Sequence, residues 1–312
     1  MQFDSAYSPV VSQARTQSIG DLPRRSAARF PDKLAIVHRE IRLTFTQLDA
    51  VIDRVAAALH DAGLRRGDRL AVLSHNCWQL PVLNFATARL GIVFVPVNFM
   101  LTGPEIAYIL DDCRADAFVV EDSLTPIAGQ ALAESAGTVR IKVGIELSDS
   151  PLPEGWTPIS EWTDFRGEAA PHVSVGDDDV IRIMYTSGTE SRPKGALLTS
   201  RSLMWQYISC IVTGGMETGD KEVHALPLYH CAQLDNFLST DIYLGAPVSS
   251  STDQTRSCCY TLLKKNRSPI CSALRPYGSD CCIRRTSTPP IFGHCARVTT
   301  APPPSPSRSC TR

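Results

Sequence analysis

Apolar and polar positions follow two rhythms through the first 248 residues. In "LTFTQLDAVIDRVAAALHDAGL", Leu48, Val51, Ile52, Val55 and Leu59 recur at the helical period. Thr44 and Gln47 have capping-box spacing, and Gly63 is placed to end the helix. "GDRLAVLS" predicts a short buried strand, "CWQLPVLNFATARLG" a helix closed by Gly91, and "IVFVPVN" another strand. "GPEIAYILDDCRA" predicts a helix with Pro104 near its first turn, and "DAFVVED" the next strand. Strands alternating with helical patterns predict the α/β class with a largely parallel sheet.

From Leu132 to His172 the pattern loosens. "TVRIKVGIEL" reads as a strand and "SDSPLPEGWTP" as loop. Regularity returns at "DVIRIMYTS", where Val180, Ile181, Ile183 and Met184 surround Arg182, after a solvated turn at Asp177–Asp179. "KGALLTS" follows across a polar gap, so the stretch predicts a strand, a loop and a returning strand. "SLMWQYISCIV" then predicts a helix capped by Ser200 or Ser202, with Trp205 in the core.

Composition changes this picture at one place. The 312 residues are 43% hydrophobic and 20% charged, as a protein with a substantial core should be. The net charge of -1 carries no footprint of a nucleic-acid or polybasic membrane partner. Yet residues 249–312 hold ten Lys/Arg against Asp253 and Asp280, and seven of the 11 cysteines. Helical and strand periods stop there, among Ser, Pro, Arg and Cys. Adjacent pairs such as Cys258-Cys259 and Cys281-Cys282 lack the spacing of a structural zinc site, so disorder is expected for 249–312. "MQFDSAYSPV" has no basic start and no apolar run, which argues against a secretory signal; residues 1–19 are expected to be flexible. The apolar stretch Leu80–Leu101 is broken by Asn84, Arg89, Pro96 and Asn98, so it predicts a buried helix and strand and no transmembrane segment. A cytoplasmic protein with reduced thiols is the expectation.

The chemistry-bearing stretch is "YTSGTESRPKG", from Tyr185 to Gly195. Thr186, Ser187, Thr189 and Ser191 supply hydroxyls, Gly188 and Gly195 free backbone, and Lys194 a cation beside Pro193. Holding a polyphosphate requires those groups. The same composition also suits a plain polar hairpin tip. A Walker A loop is excluded, because Lys precedes Gly and the chain continues into an apolar run.

The order of residues resembles the phosphate loop of the adenylate-forming superfamily, Y-T-S-G-T-T-G-x-P-K-G, with Glu190 and Ser191 in place of Thr and Gly. "ARLGIVFVPVNFMLTGPEIAYILDDCRAD" and "ALPLYHCAQLDNFLSTDIYLGAPV" resemble further blocks of its acyl-CoA synthetases, in family order across 20–248. The resemblance implies an incomplete N-terminal AMP-binding domain. It further implies that Thr186, Ser187, Gly188, Thr189, Glu190, Ser191 and Lys194 lie around ATP phosphates, with Thr186 a contact to Mg²⁺. His230 in "PLYH" matches a position near the carboxylate; on the residues alone, a lone His beside Tyr229 reads as structural. Cys231 reads as packing rather than as a nucleophile. The implied reaction joins a small carboxylate to coenzyme A through an acyl-adenylate. The family's adenine motif, ribose-binding Asp, hinge and C-terminal catalytic Lys are not recognisable in 249–312, so this chain is expected to be inactive, with apolar surface left exposed. A permitted encoding of Arg297–Arg312, read two nucleotides on, gives G-Y-Y-G-A-S-P-I-A-V-E-V-L-H-A, a family-like segment; a frameshift near Val248 is therefore expected. The alternatives are a non-catalytic nucleotide- or partner-binding remnant and a fragment of an amino-acid adenylation domain.

Overall fold

Strands β4 (Val93–Val97) and β5 (Ala117–Glu121) are buried along their whole length, as strands covered on both faces must be. The computed structural model describes residues 18–148, 150–186, 192–250 and 270–271. Most of the segment expected to be flexible, Ser187, Gly188, Thr189, Glu190 and Ser191 of the loop, and nearly all of the tail lie outside the described residues.

The other strands are β1 (Leu34–His38), β2 (Ile41–Thr44), β3 (Arg69–Leu73), β6 (Ile141–Ile145), β7 (Thr157–Pro158), β8 (Val180–Thr186), β9 (Lys194–Thr199), β10 (Glu222–His224), β11 (Val248–Ser250) and β12 (Ile270–Cys271). They form a seven-stranded sheet, β7-β6-β5-β3-β4-β8-β9, and a five-stranded sheet, β12-β10-β11-β1-β2. All pairings are parallel except β8 with β9 and β1 with β2. The expected parallel α/β architecture is present, and β7 adds a short strand inside the stretch read as loop.

Alternation along the central strands divides the core. Leu70, Val72, Phe94 and Val119 pack with Leu48, Ile52 and Leu83 of the helices Phe45–Asp61 and Gln79–Leu90. Ala71, Leu73, Val95 and Phe118 face the opposite way, onto Ile106 and Leu110 of the helix Gly103–Asp112 and Ala128 of the helix Thr125–Glu134. The first cluster continues through Ile36, Leu228, Ile242 and Val248 into the second sheet, so the two sheets share one core.

The helix boundaries follow their local chemistry. Gln47 N–H donates to Thr44 Oγ1 at 3.3 Å and Thr44 N–H donates to Gln47 Oε1 at 2.8 Å, a complete capping box. Gly91 closes the helix Gln79–Leu90 in the left-handed region at φ 65°. The helix Ser200–Gly214 corrects the expected cap: Thr199 accepts from Ser202 N–H at 3.2 Å, while Ser200 Oγ accepts from Ile19 N–H at 3.3 Å. Ser18 and Ile19, the described end of the segment expected to be flexible, are thereby buried.

Trp205 corrects a second expectation, being 65% exposed. Ser200, Leu203, Met204 and Tyr207 take the inner face of its helix, and one residue beyond Met204 is a turn of about 100°. The turn at Asp177–Asp179 is solvated in part but also ties elements together: Arg201 pairs with Asp177 and Asp178, and Arg66 with Asp179. Among the described residues, no helix is long and apolar enough to cross a membrane.

Candidate functional site

Strands β3, β4, β5 and β8 run parallel, so their carboxyl ends, at Leu73, Val97, Glu121 and Thr186, share one edge of the sheet. The chain leaves β3 for β4 on one side and returns as β5 on the other. Such a reversal marks the strand edge at which α/β sheets take ligands.

The polar loop departs from this edge. Thr186 pairs with Lys194, and Tyr185 with Gly195, across the antiparallel neck of β8 and β9. Both Thr186 and Lys194 are exposed, and the Thr186 hydroxyl lies 3.4 Å from the Lys194 carbonyl oxygen. The neck is braced on the helix Gly103–Asp112. Tyr185 donates to Asp112 Oδ2 at 2.6 Å, Tyr108 donates to the Pro193 carbonyl at 3.2 Å, and the Arg192 guanidinium sits 5.4 Å from the Tyr108 ring. Burial, helped by the bond to Asp112, raises the Tyr185 phenol and keeps it a donor.

Gly195 serves close approach here rather than backbone freedom. A Cβ at this position would stand 2.8 Å from Ile183 Cγ2 and 3.2 Å from the Tyr185 ring. Gly195→Ala is expected to cost about 1–3 kcal/mol by overpacking and to loosen the neck. Urea unfolding of the variant measures the first effect; an unchanged midpoint would show that the neck has room.

Several site-edge residues carry no sequence signal strong enough to single them out. His75 and Asn76 follow β3, and Phe99 follows β4. The His75 ring donates from Nδ1 to Glu121 Oε2 at 2.9 Å, and its backbone N–H reaches the same oxygen at 2.8 Å. The ring lies 4.0 Å from Phe99 between centroids, and Phe99 meets Tyr229 edge-on at 5.2 Å. Those aromatic contacts link this strand edge to the "PLYH" segment beside the second sheet.

His230 is exposed, and its Nδ1 accepts the Ala232 N–H at 3.1 Å, capping the short helix Cys231–Gln233. With Nδ1 so occupied, Nε2 is the ring atom left to meet a ligand. Cys231 is exposed rather than packed, which corrects that expectation. Desolvation and then Asp235 hold its thiol above the ordinary value, so it is not an activated nucleophile.

Beneath the surface, two polar clusters join the halves of the site. Arg182 of β8, fully buried, pairs with Asp235 and donates to Asn84 Oδ1, while Tyr207 donates to Asp235 at 3.1 Å. Asp235 lies in the π-helical segment Leu234–Leu238, directly after the His230 helix. Elsewhere, Glu222, His224 and Asp241 bring potential metal-ligating atoms within 4.8 Å of one another, all buried. His224 has both ring nitrogens engaged, Nε2 with Asp241 Oδ2 at 3.1 Å and Nδ1 with the Gln233 amide. The donor set is therefore that of a closed hydrogen-bonded relay, with no imidazole lone pair turned toward an ion.

The geometry defines an α/β domain with a polar neck and an aromatic cluster on one strand edge. Residues 23–273 match the family described as AMP-binding enzyme, and the chain belongs to that family. It is similar to the indoleacetate–CoA ligase of Aromatoleum aromaticum, with 32% identity over 225 residues, covering 72% of this chain and 43% of that protein. It is 34% identical over 220 residues to a feruloyl-CoA synthase of an Amycolatopsis species, covering 70% of this chain and 41% of that protein. The solved N-terminal domain of FACL13 from Mycobacterium tuberculosis, with inhibitor bound, matches with a TM-score of 0.73 and 28% identity, over 82% of this chain and 62% of that chain. The resemblance to adenylate-forming acyl-CoA synthetases therefore holds for the family. The chain spans less than half the length of these curated relatives.

Proposed function

We propose that this chain carries the phosphate-binding and carboxylate-facing walls of an ATP-dependent acid–thiol ligase. The observation that carries the reading is the β8–β9 neck, which pairs Thr186 with Lys194 at the carboxyl edge of a parallel sheet. The Lys194 ammonium would bind the triphosphate, and its charge would stabilise pyrophosphate as it leaves the α-phosphorus. Backbone and hydroxyl groups of 187–191 complete that wall in the proposal. The Thr186 hydroxyl, an exposed oxygen donor, fits Mg²⁺. That ion, when bound, would neutralise part of the phosphate charge. His230, through the Nε2 that its capping bond leaves, would orient the carboxylate. Coenzyme A is the proposed thiol acceptor of the full reaction. The acid is proposed only as a small carboxylate of the fatty or aryl type, because the names of the relatives span both.

For the 312 residues themselves the proposal is nucleotide binding without turnover. Titration with ATP and Mg²⁺ by calorimetry is expected to give a saturable isotherm. Lys194→Ala should weaken it about tenfold, the worth of a charged hydrogen bond. No ATP–pyrophosphate exchange is expected with palmitate or ferulate. Absence of ATP binding would overturn the phosphate-wall reading, and exchange activity would overturn the expected inactivity.

A further inference from the structure

The segment Leu226–His230 crosses from β10 to the helix Cys231–Gln233 with little ladder or helix to hold it. Pro227 has no N–H, and the neighbouring backbone groups still need partners. Two buried side-chain amides supply them. Asn76 donates from Nδ2 to the Leu226 carbonyl at 2.7 Å and accepts the Leu228 N–H on Oδ1 at 2.7 Å. Gln233 accepts the Leu226 N–H on Oε1 at 3.1 Å. Asn76 is 1% exposed and Gln233 0%.

We propose that Asn76 and Gln233 are positioning residues for the carboxylate side of the site, clamping the Leu226–Leu228 backbone and so setting where Tyr229 and His230 stand. The carboxylate part of this proposal rests on the reading of His230 given above.

Asn76 leaves the carboxyl end of β3, whereas Gln233 belongs to the elements around the second sheet. Each holds the segment from a different element, so the clamp bridges the two sheets. The orientation of the Gln233 amide is fixed by its neighbours. Its Oε1 is taken by Leu226 N–H, so its Nε2 donates to His224 Nδ1. The His224 proton is then on Nε2, where it is donated to Asp241 at 3.1 Å. A reversed amide would set two N–H donors against each other at Leu226. The buried relay therefore selects one amide orientation, and that orientation selects the place of the segment. Asn76 is fixed likewise, because its bonds to Leu226 and Leu228 are of opposite polarity.

Hydrogen exchange of the whole 312-residue chain tests the clamp. Asn76→Ala is expected to speed exchange at the Leu228 amide about tenfold, and Gln233→Ala at the Leu226 amide, each losing one net hydrogen bond. The amides of β3 and β5 should keep their rates. If Asn76→Ala does not fold, Asn76→Ser, which cannot make both bonds, takes its place. In Gln233→Ala the ¹⁵N resonances of His224 should also shift, because Nδ1 loses its donor. Unchanged exchange at Leu226 and Leu228, or a uniform rise across β3 and β5, overturns the clamp. Binding of palmitate, followed by calorimetry, separates the two readings. Weaker binding in the variants together with local exchange supports the whole proposal. Local exchange with unchanged palmitate affinity, or with neither palmitate nor ferulate bound even by the unsubstituted chain, supports the clamp and overturns the carboxylate role of His230.

Discussion

Replacing Arg182 by methionine is expected to cost about 3–5 kcal/mol of unfolding free energy. The side chain is fully buried on β8, with its guanidinium 5.9 Å from the Phe94 ring, and pairs with Asp235. Removing it would leave the Asp235 carboxylate in the core with one remaining donor, Tyr207 at 3.1 Å. Asn84 would lose its partner as well. Uncompensated charge, rather than lost contact area, sets the size of the effect. Among the described residues, Arg182 Nε, Asn84 Nδ2 and Asp235 Oδ2 have no hydrogen-bond partner, so the network as described is not a fully satisfied one. An apolar replacement of both charges, Arg182→Met with Asp235→Leu, should therefore recover most of the loss. Urea unfolding of the two single variants and the double variant closes the cycle. A cost below about 1 kcal/mol for Arg182→Met would mean that Asp235 finds water or another donor, and that the pair does not hold β8 to the His230 side.

Arg182 also shows where sequence reading stops. In "DVIRIMYTS" the apolar neighbours give the strand, and the basic residue among them gives no sign of being its largest buried side chain. Its partner Asp235 is separated by 53 positions, and local periodicity holds no information at that range. Asn76 and Gln233 are hidden for the same reason, their partners lying 152 and seven positions away across a segment with no period of its own. Local signals performed well where local physics decides the outcome. The Thr44–Gln47 box and the spacing of Leu48, Val51, Ile52 and Val55 place the helix Phe45–Asp61 almost to the residue. The apolar runs on either side of "GTESRP" place the β8–β9 hairpin. Trp205 failed because which arc of a helix faces inward is settled by neighbouring elements, and an apolar residue at the margin of that arc is free to fall outside it. The resemblance to a phosphate loop rests on residue order alone; the neck beneath it has a structural basis in Tyr185, Tyr108 and Gly195.

Raising the pH from about 6.5 to about 8 is expected to destabilise the protein by about 1 kcal/mol. Asp241 is the cause. Burial raises its carboxyl to about 8, with Asp220 adding to the shift and Glu222 and Lys33 opposing it. An unfolded Asp ionises near pH 4, so between about 4 and about 8 the folded chain keeps a proton that the unfolded chain has released. Stability from this group is whole below the unfolded value and is lost as pH rises through the folded one. His224, which donates to Asp241 at 3.1 Å, acts in the opposite sense. Desolvation lowers its pKa, so below about 6.5 the unfolded chain binds the extra proton and stability grows with pH. The two slopes offset each other below about 6.5. His38, pushed down to about 4 by burial, adds a second rising slope there. Above about 6.5 the Asp241 slope stands without that opposition, which places the stability maximum near pH 6.5. Asp241→Asn keeps an oxygen for the His224 N–H but carries no ionisable proton. Its unfolding free energy should rise slightly and then level off between about 6.5 and about 8, and fall more steeply than that of the parent on acidification. Urea unfolding at half-unit pH steps measures both curves. A parent curve that is flat or rising through that interval would show that Asp241 is ionised in the folded protein, and that the relay behind the Leu226–His230 segment carries a charge.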